Sequence, residues 1–318
     1  MLVNSPRTDS GTPPSQFVRS PIQLNLARFR AAGFTLIELL VVMAVVGILA
    51  GMLLPALSRA QATAATLKCR NNLRQIGIGL FSYVGDNEKY PVFNFDPYSK
   101  PMNQFWPAKI EAYTANKWTD PLYRCPGYKG VTINGNDLAV PLGSYGYNAN
   151  GVVWDDRDLD TVAQGVASTK PALGLGGRYA KELPLEENWD KEPPPDLRLS
   201  ESSVRAPSDM IALGDANLMW VASIVLKSYY KTNGAENFSG FAMLDINSRN
   251  ANFRSSYSPK DKIISATARR HFDSLNLFFC DGHVENLAEK KLFEPSDLAL
   301  RRWNIDNQPH SDLLTPVR

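Results

Sequence analysis

Cysteine is scarce in this chain: three in 318 residues, Cys69, Cys125 and Cys280, with no two at a CxxC spacing. A zinc site made by close cysteine pairs is therefore not expected. Catalytic signatures are missing as well. There is no GxSxG, HExxH or P-loop, and Gly174-Leu175-Gly176-Gly177 falls short of the dinucleotide fingerprint and follows no clear strand. With no assembled catalytic set, the chain reads as a non-enzyme. Net charge is nearly absent at +2, which gives no footing for a nucleic-acid surface. No internal repeat is visible. What is present, 44% apolar and 21% charged residues, is enough for a sizeable core in one large domain or two ordinary ones.

The small net charge conceals an asymmetry. Residues 1–33 carry Arg7, Arg19, Arg28 and Arg30 against Asp9, while the remainder holds 30 basic and 31 acidic residues. The basic excess thus sits wholly before the one long apolar run, as expected of a segment held on the cytoplasmic side of a membrane. That run, FTLIELLVVMAVVGILAGMLLPAL over residues 34–57, has no polar face. As a helix it would span about 36 Å, enough to cross a hydrocarbon core of about 30 Å. Glu38 is the one charge inside it. An ionised carboxylate in a bilayer costs on the order of 2.5–3.5 kcal/mol, so a partner for Glu38 is expected.

Two bland readings of this segment are a secretory signal and an uncleaved anchor. Ala60-Gln61-Ala62 supplies an A-x-A tripeptide, but the apolar run before it is too long for a signal and contains Glu38. The phrase RFRAAGFTLIELL instead resembles the type IV prepilin processing motif: a basic leader, Gly33, Phe34, and a glutamate at the fifth residue of the processed chain. The resemblance implies that prepilin peptidase cuts between Gly33 and Phe34 and that Phe34 is then N-methylated. It also implies that Glu38 neutralises the terminal ammonium of a neighbouring subunit. Opposite charges in low dielectric attract strongly while either alone is penalised, which agrees with that pairing. Pro55 removes a helix hydrogen bond, so a kink or local melting is expected there, a joint of the kind pilin-like helices use in packing.

After residue 57 the chain turns amphipathic. Ala60, Ala64, Leu67, Leu73, Ile76, Leu80 and Val84 fall near helical spacing, which predicts one helix over about 34–84, ended by Gly85-Asp86-Asn87 and Pro91. The stripe should pack on a sheet. KCRNNLRQIGIGLFSY, Ser144-Tyr145-Gly146-Tyr147-Asn148 and Ala206-Pro207-Ser208 with Gly214-Asp215 resemble one branch of the pilin-like superfamily, the many-copy proteins of planctomycete-type bacteria. So does a His-x9-Asp-Gly motif at His271 and Asp281-Gly282.

The expected fold is α+β, a long N-terminal helix packed on an antiparallel sheet. The expected parts are a leader at 1–33, a transmembrane helix at 34–57, its amphipathic continuation at 58–84, and an exported β-rich head at 85–318. Strands are predicted at 209–214, 219–226, 275–280 and 283–287, and a charged, proline-rich loop at 181–196. Asp281-Gly282 reads first as a type I′ hairpin turn, with positive φ at both residues; along an extended strand it would lie far from His271. His283 and His310 read as surface residues. Asp156, Asp158 and Asp160 alternate as in a calcium loop, but Thr161 and Ala167 stand where an EF-hand needs glycine and glutamate, leaving only a looser calcium site. If the bulk of the chain is exported, one disulfide with a leftover thiol fits, with Cys69–Cys125 as the pairing taken; three free, mostly buried thiols are the alternative.

The resulting expectation is a pseudopilin-like subunit of a type II secretion or type IV pilus-related system. It would sit in the inner membrane with its head in the periplasm, alongside prepilin peptidase, other pilin-like subunits and an inner-membrane assembly platform. No resident cofactor is expected. A membrane-tethered module binding a glycan or surface ligand is the alternative.

Overall fold

The structure, a computed structural model, describes residues 35–92, 105–128, 130, 132, 142–153, 173–176, 198–216, 218–220, 238–240, 242–246 and 270–314. The chain divides into two compact units, Met1–Leu54 and Pro55–Arg318. Helix α1 spans Leu36–Asn87. Within the first unit its apolar side chains are exposed, Leu36 by 87% and Met52 by 71%. Such a surface is unfavourable in water and suits hydrocarbon; by length and composition the helix can cross a membrane. Of the kink or local melting expected at Pro55, the melting does not occur, since helical residues continue on both sides. The boundary between the units falls at this proline.

The helix also ends later than the glycine at position 85 suggested. Gly85, Asp86 and Asn87 are all helical, and Glu88 takes the left-handed conformation at φ 57°. Its N–H donates to the Val84 carbonyl at 2.7 Å, and the Asn87 side-chain amide donates to the Tyr83 carbonyl at 2.8 Å. Two orphan carbonyls are thereby satisfied.

Among the described residues six strands follow: β1 Tyr145–Tyr147, β2 Ile211–Asp215, β3 Leu218–Trp220, β4 Phe238–Gly240, β5 Ser274–Phe279 and β6 Val284–Ala288. Four form an antiparallel sheet in the order β1-β2-β5-β6, and β3 pairs with β4 separately. The predicted strand at 209–214 starts two residues late, because Asp209 and Met210 donate back to the Ala206 carbonyl in a turn. Of the strand expected at 219–226, residues 221–226 lie outside the described residues, as do the loop at 181–196 and the leader.

Strand β5 is buried on both faces. Period-two alternation divides it: Phe278 joins the cluster with Cys69, Leu73, Ile76 and Leu80 of α1, while Leu275, Leu277 and Phe279 pack with Leu292, Leu300 and Trp303. The sheet thus lies between α1 and the C-terminal segment. The helix face that meets it is rotated from the expected stripe. Leu73, Ile76, Leu80 and Val84 are buried, but Ala60, Ala64 and Leu67 face outward, and the contact face continues instead through Cys69 and the half-buried Thr66 and Ala65.

Asn148, just past β1, ties the layers. Its side-chain amide donates to the Ile211 and Trp303 carbonyls, both at 2.9 Å, and its oxygen accepts from the Gly151 N–H at 3.1 Å. Removing that side chain would orphan three backbone groups.

The β5–β6 turn is not type I′. Gly282 alone is left-handed, at φ 94°, and its N–H donates to the Phe279 carbonyl at 3.0 Å. This is a three-residue loop, Cys280 to Gly282, with a type I turn followed by a left-handed glycine.

Candidate functional site

Two places carry the residues singled out by sequence. At the start of α1, Glu38 is engaged within its own chain. Its Oε2 accepts from the Thr35 backbone N–H and from the Thr35 hydroxyl, both at 2.8 Å, while the Glu38 N–H donates to Thr35 Oγ1 at 3.3 Å. This is a capping box, which satisfies helix-end donors that hydrocarbon would leave bare. The sequence reading missed it, although Thr-x-x-Glu before an apolar run is its written signature. Gly33 and Phe34 lie outside the described residues, as do Asp156, Asp158 and Asp160.

The second place is inside the head, where four of the resemblance-bearing segments converge. Cys69 on α1 and Cys125 are joined by a disulfide, with Cα atoms 5.0 Å apart. The pair closes a segment with a sequence separation of 56, which removes loop entropy from the unfolded chain worth about 4 kcal/mol. Cys280 is free and buried. Burial pushes its thiol up to about 12, with the Tyr90 hydrogen bond opposing the shift.

His271 abuts the disulfide. Its Nε2 lies 3.2 Å from Cys125 Sγ and 3.4 Å from Asp215 Oδ2, and all three side chains are buried. Its Nδ1 is 3.1 Å from Thr66 Oγ1 on α1. The same Asp215 oxygen accepts from the Asn276 backbone N–H at 2.7 Å and from its side-chain amide at 3.2 Å. Asp215 Oδ1 has no hydrogen-bond partner among the described residues. Ser144 braces the segment carrying Cys125, its hydroxyl donating to the Tyr123 carbonyl at 2.7 Å and accepting from the Cys125 N–H at 2.8 Å. Arg270 donates to the Ser144 and Ala216 carbonyls. Ligand-type atoms of Cys69, Cys125, Asp215 and His271 all lie within 4.8 Å of one another.

The two ends of the His-x9-Asp-Gly motif therefore have separate surroundings. His271 sits in this core, at the entrance to β5 on a turn where Phe272 and Asp273 both hold positive φ. Asp281 sits at the far end of that strand. It accepts from the His283 backbone N–H at 3.1 Å and pairs with the His283 ring at 2.6 Å. Partial burial raises the Asp281 pKa, but the His283 hydrogen bonds and charge outweigh it and leave the carboxyl below its ordinary value. His283 and His310 each pair with a nearby aspartate, Asp281 and Asp306. Nothing in the sequence spacing linked Asp215 or Thr66 to His271; only the fold brings them together.

Residues 28–54 match the family described as Prokaryotic N-terminal methylation motif. No curated protein and no solved structure matches the chain. The matched stretch holds Gly33, Phe34, Thr35 and Glu38 together with the first part of the exposed apolar helix, so the chain carries a prepilin-type signal.

Proposed function

We infer that this protein is a pilin-like structural subunit, a pseudopilin of a type II secretion or type IV pilus-related system. The observation that carries the reading is the methylation motif at residues 28–54 running into a helix whose apolar side chains are uncovered. Prepilin peptidase would cut between Gly33 and Phe34 on the cytoplasmic side and methylate the new terminus. The subunit would then stand in the inner membrane, with the basic leader in the cytoplasm and the head in the periplasm, until an assembly platform feeds it into a filament. A Cys69–Cys125 disulfide suits an oxidising compartment outside the cytoplasm.

In the isolated chain Thr35 satisfies Glu38. On assembly the carboxylate would face the methylated ammonium of a neighbour's Phe34, a charge pair far stronger in low dielectric than a hydroxyl contact. The role is structural and the chain performs no reaction of its own. Intact-mass and N-terminal sequencing of the protein purified from its membrane tests the reading. N-methyl-Phe34 is the expected terminus; a start after Ala62 or an uncut leader would remove its basis.

A further inference from the structure

The disulfide environment contains an electrostatic conflict. The Thr66 hydroxyl has one hydrogen, and it donates to the Ala62 carbonyl at 3.0 Å. Thr66 Oγ1 can therefore only accept from His271, which places a proton on Nδ1. In a neutral ring Nε2 then carries a lone pair, directed at a disulfide sulfur and a carboxylate oxygen. Three acceptors converge in the buried core with no positive group between them among the described residues. A disulfide gives a buried carboxylate little in return, and Asp215 Oδ1 has no hydrogen-bond partner among the described residues. A cation at Nε2 would engage all three acceptors at once.

We propose that a zinc-class divalent cation takes this place, and that Cys69, Cys125, His271 and Asp215 form a four-ligand site that replaces the disulfide when the two cysteines are reduced. Two sulfurs, one imidazole nitrogen and one carboxylate oxygen are the donor set tetrahedral zinc takes. Ligand atoms on such an ion stand about 3.3–3.8 Å apart, given bonds of about 2.0–2.3 Å. The Sγ–Nε2 and Nε2–Oδ2 separations, 3.2 and 3.4 Å, are already near that spacing. The two sulfurs must part to reach it, and the remaining pairs already lie within 4.8 Å of one another.

The outer contacts are in place as well. Thr66 holds the far ring nitrogen, fixing the tautomer whose Nε2 lone pair can ligate, and Asn276 orients the carboxylate. The charges balance: two thiolates and one carboxylate against the divalent ion leave a single negative charge, with the Arg270 guanidinium held at the neighbouring Ser144 and Ala216 carbonyls. In the exchange a thiol or phosphine reductant supplies two electrons, the S–S bond breaks, and each sulfur takes up a proton. On metal binding both thiol protons leave to solvent as two S–metal bonds, one N–metal bond from the Nε2 lone pair and one O–metal bond form.

The proposal stands independently of the assembly reading, because it concerns the head core alone. The test uses the full chain in detergent. It is reduced by a phosphine in mild denaturant, returned to native buffer with Co²⁺ as the probe, and compared with the oxidised chain treated identically. The expected result is one cobalt per reduced chain, with tetrahedral d–d bands and thiolate-to-cobalt charge transfer, and none in the oxidised chain. Cys280→Ser should leave the spectrum unchanged. Thr66→Val, which touches no ligand atom directly, should weaken binding by about 10-fold or more. A reduced wild-type chain that binds no cobalt or gives no thiolate band overturns the proposal, as does equal binding by the oxidised chain. The wild-type comparison needs no variant to fold.

Discussion

Gly77 of α1 lies so close to the Phe278 ring of β5 that a β-carbon there would overlap three of its ring atoms. The helix and the sheet approach each other through this glycine, and Phe81 packs on the same ring with centroids 5.2 Å apart. Gly85, eight residues on in the same helix, has open space around it.

The pair sets two opposing effects against each other. Replacing a helical glycine by alanine gains up to about 1 kcal/mol in helix propensity. Overpacking a tight core costs about 1–3 kcal/mol. Gly85→Ala is expected to raise the thermal midpoint of the head by up to about 2–4 °C, and Gly77→Ala to lower it despite the propensity gain. Thermal melts of both variants check this; equal shifts of the same sign would show that Phe278 does not press on Gly77.

Glu38 now has two roles to separate, helix cap and charge. Glutamine can replace glutamate in a capping box but carries no charge. Glu38→Gln and Glu38→Ala are both expected to be cleaved after Gly33 and both to fail in filament incorporation. Normal incorporation of Glu38→Gln would mean that the cap, not the charge, is what assembly needs.

Cys280 is expected to resist labelling in the folded chain, since its thiol is buried and pushed up to about 12. Maleimide mass shifts should show no label on the native chain, one after unfolding without reductant, and three after unfolding with it. Three labels without reductant would rule out the Cys69–Cys125 bond.

Asp281 makes the stability of the β5–β6 hairpin depend on acid. Its folded carboxyl lies below the ordinary value. The His283 pairing therefore contributes fully above the unfolded aspartate value near 3.9 and is lost as pH falls through the lower folded value. The melting-point gap between wild type and Asp281→Asn should be present at neutral pH and close in strong acid. A gap independent of pH would place the effect in turn geometry alone.

Much of the fold was readable because its signals are local. The starts of β2, β3, β5 and β6 lie within two residues of where they were expected, and the helix start within two, whereas β1 and β4 were not foreseen. The errors share a cause. Gly85 looked like a helix stop, yet Glu88 is where the backbone turns left-handed, since the Tyr83 and Val84 carbonyls find their partners one turn further on. Ala60, Ala64 and Leu67 matched a helical stripe, but which face meets the sheet depends on where Phe278 sits, and no spacing within α1 encodes that. Asp281-Gly282 carried the strongest hairpin dipeptide, yet a three-residue loop uses the glycine alone as its left-handed residue.

The N-terminal segment was determined by sequence alone. A helix in hydrocarbon satisfies its own backbone, so length, apolarity, the basic leader and the Gly33-Phe34 to Glu38 spacing suffice to specify a membrane-length element with a processing signal. The meeting of Cys69, Cys125, Asp215 and His271 was decided only in three dimensions. Thr66 and His271 are 205 residues apart, and their contact follows from the register of β2 on β5 and the rotation of α1 above them. Those are set by the packing of the whole core, where no short stretch of chain carries enough of the energy to reveal the outcome in advance.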